Sequence, residues 1–338
     1  MFRNILLYLW LGCAAVLPCR GADAPVKVIF DTDMDTDCDD VMALAVLHAL
    51  ADRGEAEILA TMVSSKSDGN IGCVDAINTY FGRPDLPIGC PKGEAAKHNS
   101  KYAKKLAEQF AHDLDAPEKT ADAAELYRSI LQKQPDQSVV LITVGELTNI
   151  AALLKLPTTE TSVDGVTLVK QKVREWACMG GNFIGKPAKD DLKLGNKNFL
   201  SDKTGSYYAV RHWPTKLTFV GREIGSVPSG LKAGARLSEL PEKNPVRVGY
   251  ELYFGGQAKD RHLADPTTVL YGVRGLREYW DIESKGYMDL REDITIEWRY
   301  DQDKHAYLLK KSVDGKPNDR AIEKVIEELA MQLPKTRP

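Results

Sequence analysis

The sequence is short of several things, and each shortage narrows what the chain can be. It has no basic excess: 45 Lys and Arg stand against 48 Asp and Glu, for a net charge of −3, so no electrostatic footprint for nucleic acid is present. Six cysteines are scattered without a CxxC pair or zinc-ligand spacing, which excludes a zinc-ribbon and a disulfide scaffold. After the first residues, no stretch approaches the roughly 20 apolar residues that span a bilayer. No repeat, low-complexity tract or Pro/Gly/Ser-rich linker divides the 338 residues. What remains is an ordinary globular composition, 43% hydrophobic and 28% charged. It reads as a single domain over residues 25–338.

The first residues differ from the rest. Arg3 gives a positive start, an apolar stretch runs from Ile5 to Cys19, and Arg20-Gly21-Ala22-Asp23-Ala24 follows. A charged start, a short apolar core and small residues near a cut site read as a secretory signal over residues 1–24, placing the mature chain outside the cytoplasm, secreted or periplasmic, with no stable membrane span after removal. Cys13 follows Leu11-Gly12, but the apolar core before it is too short for a lipoprotein site. Cys13 and Cys19 leave with the signal; Cys38, Cys73, Cys90 and Cys178 leave room for one or two bridges that the sequence does not assign, and the simpler reading is of buried apolar side chains.

Along the mature chain, strand-like runs alternate with helix-like ones. Val26–Phe30, Ile58–Val63, Ser138–Val144, Val173–Met179 and Leu217–Val220 read as strands. Val41–Leu50, Ile71–Phe81, two helices within 101–134, Leu147–Leu154, Pro245–Phe254, Pro266–Val273 and Arg320–Leu333 read as helices. Ile294–Trp298 and His305–Leu309 read as a terminal hairpin, and Gly185–Lys197 as a loop near the site. The alternation predicts an α/β fold, an open, mostly parallel mixed sheet flanked by helices.

The strongest chemical feature is Asp31-Thr32-Asp33-Met34-Asp35-Thr36-Asp37-Cys38-Asp39-Asp40, six carboxylates in ten residues. Packed together they repel and are costly without a cation. The loop leaves the carboxyl end of the first strand, the edge where open α/β sheets bind ligands. Hard oxygen donors at this density suit calcium or magnesium rather than zinc. Calcium takes about 6–8 oxygens, so other loops must contribute. The loop is not an EF-hand, because Thr36 stands where Gly is needed and Met42 where the bidentate Glu is needed. It does not fit the DxDxT phosphatase pattern either.

This loop resembles the signature of the inosine–uridine-type nucleoside hydrolases, an Asp-x-Asp element finishing in Asp-Asp before a helix. It is two residues longer than the commonest form and resembles a branch found in exported bacterial proteins. Further elements follow in family order: Gly69-Asn70 with Asn78; Val144-Gly145-Glu146-Leu147-Thr148-Asn149-Ile150; Met179-Gly180-Gly181; Asn198 with Asp202; and Asp265-Pro266. The resemblance implies a Rossmann-like nucleoside hydrolase fold and calcium-dependent cleavage of a nucleoside to ribose and free base. The substrate is then a small nucleoside or riboside, in a protein that forms a homodimer or homotetramer.

By that resemblance, calcium is held by the carboxylates of Asp33, Asp40 and Asp265 and the backbone carbonyl of Val144. Asp33 is also the base for the attacking water. Asp39, Asn70 and Asn198 take the ribose hydroxyls. The insertion leaves an alternative: aligning Asp35 with the second Asp of the element makes Asp35 the ligand and base, whereas Asp33 lets the strand Val26–Phe30 end where it should. Two positions depart from the family pattern. Asn196 stands in place of a Glu that helps hold the 5′ end of the ribose, and Ala264 in place of a His beside the leaving base. His262, two residues away, is the candidate substitute. These departures keep two alternatives open: a hydrolase of another riboside or sugar derivative, and a non-catalytic, calcium-bound sugar-binding protein.

Overall fold

The structure, a computed structural model, describes residues 24–183, 197–226 and 230–335. The signal segment, apart from Ala24, and Asn196 lie outside the described residues, as does most of the loop Gly185–Lys197.

Thirteen strands build the sheets that matter here: β1 (Val26–Thr32), β2 (Ala56–Val63), β3 (Ile88–Cys90), β4 (Ala121–Asp122), β5 (Val139–Thr143), β6 (Val173–Met179), β7 (Lys216–Val220), β8 (Lys232–Ala233), β9 (Arg261–His262), β10 (Trp280–Glu283), β11 (Tyr287–Leu290), β12 (Ile296–Arg299) and β13 (His305–Lys310). Nine of them form one sheet in the order β10-β13-β7-β6-β5-β1-β2-β3-β4. Neighbours run parallel throughout, except that the edge strand β10 is antiparallel to β13. The fold is therefore the mostly parallel α/β sheet flanked by helices that the strand–helix alternation predicts.

Central strands of such a sheet are covered on both faces and read as continuous apolar runs rather than alternating ones. β5, Val139-Val140-Leu141-Ile142-Thr143, is buried at every position. Successive residues of β1 feed opposite layers: Val28 and Phe30 pack with the helix Asp39–Asp52, while Ile29 packs with Tyr127, Ile150 and Leu168. The helix Asp39–Asp52 is buried at all but one of its 14 positions. It lies against the helices Ala264–Arg274 and Asp319–Ala330 as well as the sheet, which explains why its sequence is apolar nearly all round.

The order of the strands positions the site. The chain builds outward from β1 through β2, β3 and β4, then returns to β5 on the other side of β1 and builds away again. β1 thus sits at the reversal of strand order, where a crevice opens at the carboxyl edge. The ladders continue to that edge, with Val144 N–H donating to Asp31 O at 2.8 Å and Ser64 N–H to Thr32 O at 2.8 Å. The loops after β1, β2 and β5 therefore leave side by side.

One pairing differs from the sequence expectation. β12 pairs with β11, and β13 pairs with β10 and β7, so Ile294–Trp298 and His305–Leu309 are strands but not partners in a hairpin. Strand character is a local property, whereas the partner is set by which sheet edge is open. Cys38, Cys73, Cys90 and Cys178 are free and buried. Among the described residues, no helix is long and apolar enough to cross a membrane.

Candidate active site

The acidic loop starts from a carboxylate that it does not expose. Asp31 is fully buried in β1. It accepts from the Tyr127 hydroxyl at 2.9 Å and from the Asn149 side-chain amide at 3.2 Å. Burial pushes its carboxyl up to about 7, against those two hydrogen bonds, which pull it down. Asn149 also donates to Val63 O at 3.0 Å, so this trio ties β1, β2 and the helix Thr148–Leu154 together beneath the site.

The loop then turns sharply. Met34, buried, has φ +47°, a left-handed conformation that non-glycine side chains adopt rarely. That turn sends the carboxylates on either side of it to different places. Asp33 lines a cavity of about 380 Å³ together with Asp39, Asp40, Val144, Asn198, His262 and Asp265. Asp35, fully buried, accepts from Ser67 Oγ at 3.1 Å and groups with His98 and Glu146 instead. Asp37 forms an ion pair with Arg261, Nε to Oδ1 at 2.7 Å.

Asp39, Asp40 and Asp265 each offer an oxygen, and these three oxygens lie within 4.8 Å of one another. Two helix starts bring them together. Asp39 and Asp40 open the helix Asp39–Asp52, Asp265 opens Ala264–Arg274, and the Asp265 N–H donates to Asp39 Oδ2 at 3.3 Å. Helix N-termini favour negative charge by about 0.3–1 kcal/mol each. That is small beside the several kcal/mol that burying an ion costs, and these residues are 5% exposed or less. Burial accordingly drives the carboxyls of Asp33, Asp39, Asp40 and Asp265 upward. Asp39 rises to about 8, with Asp37 adding to the effect. Burial pushes Asp33, Asp40 and Asp265 well above the usual carboxylate range, and neighbouring charges add to it: Asp35 and Glu146 at Asp33, Asp33 and Asp265 at Asp40, and Asp39 and Asp33 at Asp265. Thr32 Oγ1 and the Met34 N–H hold Asp40 Oδ1, the latter at 3.3 Å.

The remaining sequence-predicted residues are placed as follows. Val144 and Asn198 share the cavity, and the Asn198 amide donates to the Val144 carbonyl at 2.7 Å. His262 lines the same cavity, and its buried Nδ1 has no hydrogen-bond partner among the described residues. Burial, then Arg261 and Lys232, lowers its imidazole below the ordinary value. Asn70 lies one layer back. Its amide donates to Ser65 O at 3.1 Å, Ser65 Oγ at 3.0 Å and Asp33 O at 3.4 Å. It lines a neighbouring cavity of about 480 Å³ that also contains Lys66, Lys104 and His112. Asn70 thus braces the acidic loop from behind rather than facing its cavity.

Three cations that sequence reading did not single out also line the acidic cavity: Lys197, Arg222 and Arg261. Lys197 bonds to Thr36 Oγ1 and lies 3.8 Å from Asp35 Oδ1. Burial works to lower its ammonium, but Asp33, Asp35, Asp40 and Glu146 outweigh that and hold it above its ordinary value. Isolated Lys and Arg residues carry no local pattern, so only the fold reveals them. The arrangement as a whole offers a cluster of buried oxygens for a hard cation, a further carboxylate beside it, and amide and imidazole groups along the walls.

The family model described as inosine-uridine preferring nucleoside hydrolase matches residues 28–315. Among solved structures, a purine-preferring ribonucleoside hydrolase from Gardnerella vaginalis is similar, with a TM-score of 0.66 and 14% identity over 92% of this chain and 100% of that one. The type III effector protein XopQ in complex with adenosine diphosphate ribose gives 0.65 and 15%, over 92% and 94%. An inosine-uridine preferring nucleoside hydrolase from Bacillus anthracis gives 0.61 and 14%, over 90% and 99%. At such identities these likenesses are of fold. No curated protein matches the chain.

Proposed function

The chain belongs to the inosine-uridine preferring nucleoside hydrolase family and is a hydrolase of N-glycosyl bonds, and from that premise we propose that it cleaves ribonucleosides to ribose and free base in a calcium-dependent reaction. The observation that carries the proposal is the convergence of Asp39, Asp40 and Asp265 within 4.8 Å, beside Asp33 in one cavity. Buried carboxylates at that separation need a counter-charge, and an all-oxygen donor set suits a hard cation. Asp33, Asp40, Asp265 and the Val144 carbonyl would hold it. When bound, calcium supplies a Lewis-acidic centre that orients and acidifies a water.

The chain's own groups supply the rest. Asp33 accepts the proton of the attacking water through a carboxylate oxygen. Asp39 keeps Oδ2 on the Asp265 N–H and has Oδ1 to accept from a ribose hydroxyl, with the Asn198 amide alongside. As the bond to the base breaks, positive charge builds on the ribose as in an oxocarbenium ion. The carboxylates lining the cavity stabilise that charge where it develops. His262, which lines the cavity, is the candidate hydrogen-bonding partner for the departing base.

Ala264 leaves no acid directly before Asp265, and this motivates a second reading: hydrolysis of another riboside or sugar derivative. Lys197, Arg222 and Arg261 along the cavity, and a similar fold solved with adenosine diphosphate ribose, favour an anionic member of that class. Release of free base from inosine, uridine and adenosine diphosphate ribose by the full chain tests both readings. Release from the nucleosides is expected. Release only from the anionic riboside establishes the second reading, and binding without release from any of them reduces the chain to a sugar-binding protein.

We also infer that residues 1–24 direct export to the periplasm or medium, as in an exported bacterial branch of the family. Residues 25–338 then form one mature domain, which assembles as a homodimer or homotetramer. N-terminal sequencing of fractionated protein and light scattering test these points: a chain starting at Met1 in the cytoplasmic fraction contradicts export, and a monomer contradicts assembly.

A further inference from the structure

The acidic loop has a second side. Asp35, His98 and Glu146 come from three separate segments: the loop after β1, the stretch between β3 and β4, and the loop after β5. Each offers one ligand atom, and these atoms lie within 4.8 Å of one another. None of the three lines the cavity that holds Asp33, Asp40 and Asp265. We propose that Asp35, His98 and Glu146 form a second metal site, for a borderline ion of the zinc class, on the far side of the acidic loop.

Ligand type separates this site from the first. An imidazole with two carboxylates suits zinc, whereas calcium takes oxygen donors. Zinc binds such ligands at about 2.0–2.2 Å in tetrahedral geometry, which puts two of them roughly 3.4 Å apart. His98 Nε2 and Glu146 Oε1 are 3.2 Å apart. Three protein ligands leave the fourth position to water.

The ligands are also oriented from outside. Ser64 Oγ donates to Glu146 Oε2 at 2.9 Å, leaving Oε1 toward His98. Ser67 Oγ donates to Asp35 Oδ2 at 3.1 Å, while the His98 N–H donates to the same Ser67 oxygen at 2.9 Å. Hydrogen bonds of this kind hold the ligands of metal centres in orientation. An entry path exists as well: the carboxylates are buried to 1% exposure or less, but the His98 side chain is 28% exposed. Among the described residues, Lys197 lies beside the group, 3.8 Å from Asp35 Oδ1, bonded to Thr36 and 44% exposed. A long side chain so exposed can swing away as an ion enters.

The experiment is a zinc titration of the full chain, stripped of metal and then saturated with calcium, with bound zinc counted by mass spectrometry after desalting. One zinc per chain is expected. His98→Ala, which removes a partly exposed side chain, and Glu146→Gln should each weaken it by at least tenfold, with the fold checked by circular dichroism. Asp265→Asn, which damages the calcium cluster, should leave zinc bound. No zinc in the calcium-saturated chain, or equal affinity in the His98→Ala variant, overturns the proposal and makes Lys197 the permanent counter-ion of Asp35. Zinc lost in Asp265→Asn but kept in His98→Ala also overturns it, by placing the ion in the first cluster. Sugar release plays no part in this readout, so its failure and that of the hydrolase reading are independent.

Discussion

The side-chain amide of Asn198 donates to the backbone carbonyl of Val144 at 2.7 Å. The two residues lie 54 positions apart, and the proposal gives one of them to the sugar and the other to the metal. A carbonyl oxygen has two lone pairs, so Val144 can accept from Asn198 and still face a cation. Asn198 is then a positioning residue for the metal as well as a sugar contact. A hydrogen bond of this kind is worth about 0.5–1.5 kcal/mol. Asn198→Ala is therefore expected to weaken calcium by roughly threefold to tenfold and to raise KM in step, as calcium titration and steady-state kinetics would show. An unchanged calcium affinity would confine Asn198 to the sugar.

The left-handed turn at Met34 separates Asp33 from Asp35, and so separates the effects of removing them. Asp33→Asn should lower kcat by 100-fold or more, since general-base catalysis typically contributes about 10²–10⁴. Asp35→Asn should keep kcat within about tenfold of the parent, because its carboxylate lies outside the cavity and the change costs no more than the ordering of its loop. Sugar release by the two variants, side by side, decides between them; a reversed order would hand the base role to Asp35.

Gly145 lies between Val144 and Glu146 because nothing larger fits. A Cβ there would come 2.4 Å from Asp33 N and 2.5 Å from Ser64 Oγ, closer than real contacts allow, and the nearest atom belongs to backbone. Gly145→Ala should push the acidic loop off β5. The expected result is a folded protein with weakened calcium binding and little sugar release. Full activity in this variant would mean that the loop can retreat without harm to the site.

Much of this was legible in the sequence, for reasons that can be stated residue by residue. β5 and the helix Asp39–Asp52 are apolar over their whole length because both are enclosed, and that pattern is local. The six carboxylates announced an acidic site at the sheet edge for the same local reason. What stayed hidden depends on chain reversal in space. The pairing of β12 with β11 is set by sheet edges. Lys197, Arg222 and Arg261 are scattered cations that reach the cavity only through the fold. Asn70 sits in a Gly-Asn element that resembles a sugar contact, yet its amide is spent on Ser65 and the Asp33 carbonyl. The grouping of Asp35 with His98 and Glu146 joins segments that run up to 111 positions apart in the sequence.

Glu223 gives a pH-dependent prediction away from the metal clusters. Burial, against hydrogen bonds from backbone N–H groups including that of Phe183, raises its carboxyl from 4.5 to about 7. Between those values the folded chain keeps the proton and the unfolded chain loses it. Stability from this group is therefore full below pH 4.5 and falls as pH rises toward 7, by on the order of 3 kcal/mol. Glu223→Gln keeps an acceptor for the Phe183 N–H and cannot ionise. Denaturant unfolding should show the variant gaining on the parent as pH rises from 4.5 to 7, and a constant difference would contradict the assignment.

The central claim is that buried carboxylates at the end of β1 bind calcium and use it to hydrolyse nucleosides. Its most direct test is ribose release from a panel of purine and pyrimidine nucleosides by the full chain, with calcium, after chelation, and after calcium is restored, beside Asp33→Asn. Release that disappears on chelation, returns with calcium and is absent in the variant is the predicted result. Release that persists through chelation, or a folded, calcium-bound protein that releases no ribose from any nucleoside, would contradict it.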